Sequence, residues 1–230
     1  MPDTRRKQIV QLLELERSVR VEDLAERFAV SPVTIRKDLA ELEARGLLER
    51  THGGATLTHR SRYNPSFREK LHQHGPQKRQ VALAALQFVQ EGDAVILDAG
   101  SSTLALAQAI KGEYRSLVVL TNSVAIALEL VDTPNEVLLL GGQVRQHSLA
   151  LIGPAAVSTV EGFRADKVFL GATGVSLEAG YTTPNPLEAQ TKRAMLLAAS
   201  ERYVLADASK IGHAALSRFA RLDEVSALIT

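Results

Sequence analysis

Between the apolar run Ala94 to Leu97 and a segment of helical spacing, the chain reads Asp98-Ala-Gly-Ser-Ser-Thr103. Gly100 lets a backbone approach closely, Ser101, Ser102 and Thr103 offer donors, and a helix starting there would aim its first N–H groups outward. This is the chemistry of an anion cradle, and phosphate is its natural guest. Helix capping would account for one or two of these residues by itself. The chain contains neither G-x-x-x-x-G-K-[ST] nor a G-x-G-x-x-G following a strand, which excludes the common nucleotide-binding loops.

Further polar residues fall at the ends of similar apolar runs, where open α/β sheets bind ligands: Asp98, Thr121 and Asn122, Gly141 and Gly142 with Arg145, Gly171, and Asp207 with Lys210. A carboxylate pair, an asparagine and cations suit a row of sugar hydroxyls ending in phosphate. Taken singly, Asp207 and Lys210 could be a surface ion pair and the glycines could be turns.

Those residues need a sheet to hold them. From Lys78 onward the runs "AVILDAG", "LVVLTNS", "VLLLGGQ", "KVFLGATG", "YVLADAS" and "SALIT" alternate with helical patterns, and most end on a turn residue. Short β-rich runs separated by helices predict an α/β domain with a mainly parallel sheet over residues 78–230.

The front of the chain has a different texture. Residues 5–16 space Ile9, Leu12 and Leu13 on one stripe and charges, Glu16 included, on another, which predicts a helix. An extended piece at Val19 to Val21 and a second helix from about Glu22 to Phe28 follow. Ser31 suits an N-cap and Pro32 a first helical position, so a third helix starts there and runs to Gly46. Leu47 and Leu48 begin a strand and Gly53-Gly54 permits a tight turn, giving a small hairpin. Three helices and a hairpin make a winged helix-turn-helix over residues 1–58.

On a helical wheel Ile35, Leu39 and Leu42 share one face, while Val33, Thr34, Arg36 and Lys37 point away from it near the N-terminal end. The helix dipole disfavours cations at that end, and DNA phosphates would compensate them. The pattern predicts a recognition helix in a major groove, with His52 in the hairpin turn able to reach backbone phosphate and Arg50 beside it. The plainer alternative is a solvated helix whose cations pair with Asp38 and Glu41.

Charge supports the first reading. The formal balance of +1 conceals a basic stretch over residues 58–80, where Arg60, Arg62, Arg68, Lys70, Lys78 and Arg79 face only Glu69. Pro65, Gly75 and Pro76 interrupt it, so residues 59–77 read as a basic linker that becomes helical near Lys78. With no cysteine there is no disulfide framework or thiolate metal site. No window approaches the ~18 unbroken apolar residues of a membrane span, and the polar start lacks an apolar signal core, so a cytoplasmic protein is expected.

The front module resembles the DeoR family of bacterial transcription regulators, whose signature reads close to "VS-x-x-TIRRDL-x-x-L" followed by "HGGA"; this chain has "VSPVTIRKDLAEL" and "THGGA". Lys37 stands where the family usually has Arg, which keeps the charge but loses the planar fork. The resemblance implies that Ser31, Val33, Thr34, Arg36, Lys37, Arg50 and His52 face DNA. It extends through the second domain, implying a ligand-sensing fold related to ribose-5-phosphate isomerase. Its sugar-phosphate pocket would comprise Asp98, Gly100, Ser101, Ser102, Thr103, Thr121, Asn122, Gly141, Gly142, Arg145, Glu188, Lys192, Asp207 and Lys210. "GYTTPNPLEAQTKRAM" is similar to family members governing amino-sugar use, such as the N-acetylgalactosamine regulators, and the family usually continues two or three elements beyond "ALIT".

The expected function is therefore a repressor of a sugar catabolic operon, with double-stranded operator DNA and a phosphorylated sugar as partners, no cofactor, no metal, no catalytic residue and no membrane. A homodimer or homotetramer follows from paired half-sites. The competing expectation is a phosphosugar isomerase-like enzyme with an appended DNA-binding module, using Asp98, Asp207, Glu188 and Lys210 as acids and bases.

Overall fold

The computed structural model describes residues 2–16, 18–44, 47–56 and 66–230. The chain divides into two compact units, Met1–Asn64 and Pro65–Thr230, and each is described by itself.

In the first unit α1 (Pro2–Glu16), α2 (Val21–Arg27) and α3 (Pro32–Ala44) enclose a core of Ile9, Leu13, Leu24, Ile35, Leu39 and Leu42. Strands β1 (Ser18–Arg20), β2 (Glu49–Thr51) and β3 (Gly54–Thr56) form an antiparallel sheet in the order β1-β3-β2. The wing strand begins two residues later than its apolar pattern predicts, because Leu48 is buried as a core anchor. Gly53 takes φ +100°, and a Cβ on Gly54 would fall 2.0 Å from Val19 O, so both glycines of the turn are required. Ser31 Oγ accepts the Thr34 N–H at 3.2 Å and caps α3. The expected stop at Gly46 lies outside the described residues, as do Arg60, Arg62 and Pro65.

The second unit opens with α4 (Phe67–His72) and α5 (Gly75–Leu86), where the residue pattern predicts a linker turning helical near Lys78. Helix α4 exists because Ser66 and Glu69 form a reciprocal capping box, and α5 starts early because Pro76 suits its first turn.

Six strands follow in one sheet: β4 (Ala94–Leu97), β5 (Val118–Thr121), β6 (Glu136–Leu139), β9 (Ala165–Gly171), β12 (Ala199–Leu205) and β14 (Ala227–Ile229). Every neighbouring pair is parallel, in the order β14-β12-β9-β4-β5-β6. Side chains alternate between two cores: Val95, Leu97, Phe169 and Tyr203 pack with α5 and α6 (Ser101–Glu113), whereas Ile96, Val168, Leu170 and Val204 pack with α9 (Pro186–Leu197). Helix α7 (Val124–Leu130) links β5 to β6.

Shorter pieces complete the unit. β7 (Gln143–Arg145) and β8 (Ala150–Ile152) form a hairpin followed by α8 (Pro154–Glu161). β10 (Gly174–Ser176), β11 (Gly180–Thr183) and β13 (Ser217–Ala220) form a separate antiparallel sheet. None of these five shows a long enough alternation to be legible as a strand. No described helix is long and apolar enough to cross a membrane.

Candidate functional site

The exposed face of α3 carries Val33, Arg36 and Lys37, with Thr34 partly exposed, while Ile35, Asp38, Leu39 and Leu42 are buried. Asp38 and Glu41 do not serve those cations. Asp38 accepts Arg5 Nε at 2.6 Å and Arg6 Nε at 2.8 Å, and Arg6 Nη2 reaches Glu41 at 2.7 Å. Among the described residues, Arg36 and Lys37 have no ion-pair partner. Helix α1 thus engages Asp38 and Glu41 of α3 and leaves Arg36 and Lys37 on its outer face. Arg50 is tied to Glu43 of α3, its Nε 2.8 Å from the carboxylate, and His52 is exposed in the β2–β3 turn. The Arg50 pair joins wing to helix across the surface these residues share.

The polar residues of the second unit gather where the strand order reverses. Chain progress from β4 runs outward through β5 and β6 and then returns to β9 on the other side of β4, so a crevice opens beyond the C-terminal ends of β4 and β9. Asp98 ends β4 and Gly171 ends β9; Asp98 Oδ2 accepts the Gly171 N–H at 3.1 Å. Lys192, projecting from α9, donates to the same Asp98 oxygen and to Gly171 O at 2.9 Å, and its Nζ stands 5.4 Å from the Phe219 ring centroid. Asp98 is buried, which pushes its carboxyl up, while the Lys192 ammonium and the Gly171 N–H pull the other way.

Arg145 at the end of β7 donates to Glu188 at 3.5 Å, and Glu188 also accepts Thr183 Oγ1 at 3.2 Å. Asp207 accepts the Ser209 N–H at 3.0 Å and its hydroxyl, and Lys210 follows on the same 3-10 turn. Burial pushes the Asp207 carboxyl up, but Ser209 and Lys210 outweigh it and leave it below the ordinary carboxylate range.

Several expected contacts have internal duties. Thr103 Oγ1 donates to Asp98 O at 2.5 Å, closing the strand-to-helix turn. Thr121 Oγ1 donates to Leu97 O at 2.6 Å, and Asn122 takes the Ala99 N–H at 2.7 Å while donating to Leu151 O at 3.2 Å. These side chains shape the crevice by fixing its backbone. A Cβ on Gly142, which has φ +138°, would fall 2.8 Å from Ile152 O, so that glycine serves the β7–β8 hairpin, whereas Gly141 is open to solvent. At the cradle, Gly100 caps α6 with no side-chain bond, so the helix's first N–H groups and the half-buried Ser101 and Ser102 remain to meet an anion.

Residue patterns missed the contribution of α4 and α5. Lys70, half-buried, is pushed down to about 8 by burial and then by Lys210; Glu188 opposes this, and Lys192 and Arg145 add to it. Lys78 is buried and also pushed down to about 8, by burial first, with Asp207 opposing and Lys210 adding. Its ammonium donates to Lys70 O and, at 2.5 Å, to Gln73 O, clamping the α4–α5 turn. His74, at φ +53° in that turn, bears on Asp207. Lys70, Lys78, Arg145, Lys192 and Lys210 therefore share one field, broken by Asp98, Glu188 and Asp207. The signal was the basic excess of residues 58–80, which reads as a solvated hinge unless α4 is known to fold back.

A winged helix-turn-helix with a cationic outer face, joined in one chain to an α/β unit with a cation-rich crevice, defines a DNA-binding regulator that carries its own sensor. The chain belongs to the DeoR family of transcriptional regulators: residues 5–61 match the DeoR-like helix-turn-helix domain and residues 73–230 the DeoR C terminal sensor domain. It is 38% identical to the HTH-type transcriptional regulator GlpR of Haloferax volcanii, over 100% of this chain and 90% of that one. A putative aga operon transcriptional repressor of Escherichia coli O157:H7 is 34% identical, over 98% of this chain and 84% of its own. The lactose phosphotransferase system repressor of Streptococcus mutans is 33% identical, over 99% and 91%. Among solved structures, the tetrameric eIF2B-beta2-delta2 complex from C. thermophilum shares the fold at 13% identity and TM-score 0.50, over 68% of this chain and 55% of that one. Ribose 5-phosphate isomerase A from Methanocaldococcus jannaschii is similar at 18% identity and TM-score 0.44, over 60% and 55%. The chain spans a little over half the length of those structures.

Proposed function

We propose that this protein represses a sugar catabolic operon and loosens its operator when a phosphorylated sugar occupies the crevice of the α/β unit. One observation carries the reading: Lys210, Lys192 and Arg145 all bear on Lys70, while Lys192 bonds the Asp98 and Gly171 strand ends at the switch point of the parallel sheet and α6 starts there with an open N-terminus. Such a field suits a phosphate, and Asp98, Glu188 and Asp207 supply acceptors for hydroxyls. Relatives named for lactose and aga operons support a sugar as the carrier of that phosphate.

The chain works in the cytoplasm as a homodimer or homotetramer, because paired modules read paired half-sites. Effector and operator are then linked, and a coupling of about 1–3 kcal/mol changes operator affinity roughly 5 to 150-fold. Asp98 favours sensing over isomerisation, since its carboxylate is already engaged by Lys192 and Gly171. Fluorescence anisotropy of the chain on promoter DNA from its own genomic neighbourhood, titrated with ribose, tagatose, galactose and hexosamine phosphates, tests both halves. Release by one of these without turnover is the expected result. Indifference to every one of them, or conversion of one to product, overturns the reading.

A further inference from the structure

Helix α7 is apolar nearly all round, and its one charged residue, Glu129, is paired with Lys111 of α6 at 3.2 Å. Ile126 and Leu130 are fully buried in the core, while at 100° per residue Val124, Leu128 and Val131 form a stripe about 60° wide on the opposite side. Leu128 is 68% exposed and Val131 61%. A helix apolar on both faces is one that buries both. Strand β6 ends the parallel sheet beside it, and among the described residues no strand pairs with its outer edge. Val137 packs on the same core as α7, so Leu139, two residues on and 46% exposed, shares the α7 face. Together the four exposed side chains make an apolar patch of about 400 Å², roughly half of the ~800 Å² that each partner gives to a standard interface, with the strand edge adding to it.

The backbone says what covers it. Glu136 N donates to Leu117 O at 2.9 Å and Leu140 N to Thr121 O at 2.8 Å, so the even-numbered residues of β6 face β5. The N–H and C=O groups of Val137 and Leu139 therefore point away from the sheet, an open edge of the kind that templates pairing. These two residues are symmetric about Leu138. A second β6, running antiparallel about a two-fold axis at Leu138, sets Val137 opposite the other Leu139 and exchanges both bonds at each of the two pairs. That axis stands perpendicular to the sheet, so both copies of α7 lie on one face, their stripes flanking the joint. Any extended peptide can add to an edge, but a two-fold copy brings a second apolar stripe with it and covers α7 as well, which is the self-complementarity an isologous interface requires.

Resting on the paired modules of the reading above, we propose that two copies of this chain join through β6 and α7, edge to edge about a two-fold axis at Leu138. In the full-length protein, Leu128→Asp places a carboxylate in the joint and should raise the dissociation constant of the pair about 100-fold, read by light scattering over a dilution series. Its circular dichroism should match the parent's, because the position lies outside the core. The chain has no cysteine, so Leu138→Cys supplies a single thiol, and two such thiols facing each other across the axis are within disulfide reach. Copper-catalysed air oxidation should link that variant into covalent dimers, whereas Leu197→Cys, exposed on α9, should stay largely unlinked. An oligomer that keeps the parental dissociation constant in Leu128→Asp, or that links no faster through Leu138→Cys than through Leu197→Cys, overturns the proposal and leaves paired modules standing. A parent that stays a single copy both in solution and on operator DNA defeats the paired reading; the face then has another occupant, and this proposal falls as well.

Discussion

Arg6 Nε lies 2.8 Å from Asp38 Oδ1, joining α1 to the buried side of the recognition helix while Arg5 holds the other carboxylate oxygen. Asp38 is 2% exposed, so the pair sets how α3 sits on its own module. Asp38→Ala takes the carboxylate from both Arg5 and Arg6 while leaving Arg6 its bond to Glu41, at a cost of about 3 kcal/mol, the low end for a broken buried pair because both arginines keep some solvent and Arg6 keeps a partner. Hydrogen exchange on the full chain should show faster exchange in α1 and α3 and unchanged protection in the parallel sheet. Unchanged protection of α3 would remove Asp38 from this role.

Arg36 and Lys37 are exposed and, among the described residues, without ion-pair partners, so their removal should not disturb the fold. Replacing both with Ala should weaken operator binding and reduce the slope of log affinity against log salt by about 2, roughly one per lost phosphate contact. Binding measured between dilute and physiological salt gives that slope. A parental slope would place both side chains away from DNA.

The elements that residue patterns revealed are those with repetition. All six apolar runs became parallel strands, the inner ones because strands buried on both faces have to be continuously apolar, and Ser31-Pro32 announced α3 through local capping chemistry. By residue pattern alone Asp98, Arg145, Asp207 and Lys210 are legible only as single residues at strand ends, whereas Glu188 and Lys192, on helix α9, enter only through the family resemblance that groups all six. Their convergence depends on the reversal of strand order between β6 and β9, a long-range fact that no short window contains. Lys70 is hidden differently: α4 has six residues, too few for periodicity, and is held by the Ser66–Glu69 box and by Phe67 N to His147 O. A helical wheel leaves Asp38 a possible surface partner for Arg36, because it shows angle and not which neighbour lies beneath; α1 lies there.

The Asp98–Lys192 pair makes a stability prediction with a definite sign. Lys192→Met removes the ammonium that opposes the burial of Asp98, so the carboxyl, already pushed up, rises further. The folded variant then holds a proton that the unfolded chain releases above about pH 4. Stability from that proton is full below the unfolded value and is lost as pH rises toward the folded one. Relative to the parent, the variant should lose about 3–5 kcal/mol near pH 7 and less near pH 5, measured by urea unfolding at both. An equal deficit at the two pH values would show that Asp98 is not the group left behind.

Lys70 and Lys78 give the crevice a pH response of its own, both being pushed down to about 8 chiefly by burial. In the unfolded chain they return to the ordinary lysine value of about 10.4, so that chain binds more protons between pH 8 and 10.4, and effector-free stability should rise across that window. A phosphate in the crevice favours the ammonium forms and raises both lysines, so binding must take up protons wherever they are partly neutral. Effector affinity should therefore fall as pH rises through about 8, well before surface lysines titrate. Calorimetry at pH 8.5 in two buffers of different ionisation enthalpy should report net proton uptake on binding, and Lys70→Ala should reduce it. Affinity that stays flat from pH 7 to 9, with no uptake, would mean that these lysines do not feel the ligand and that the phosphate lies elsewhere.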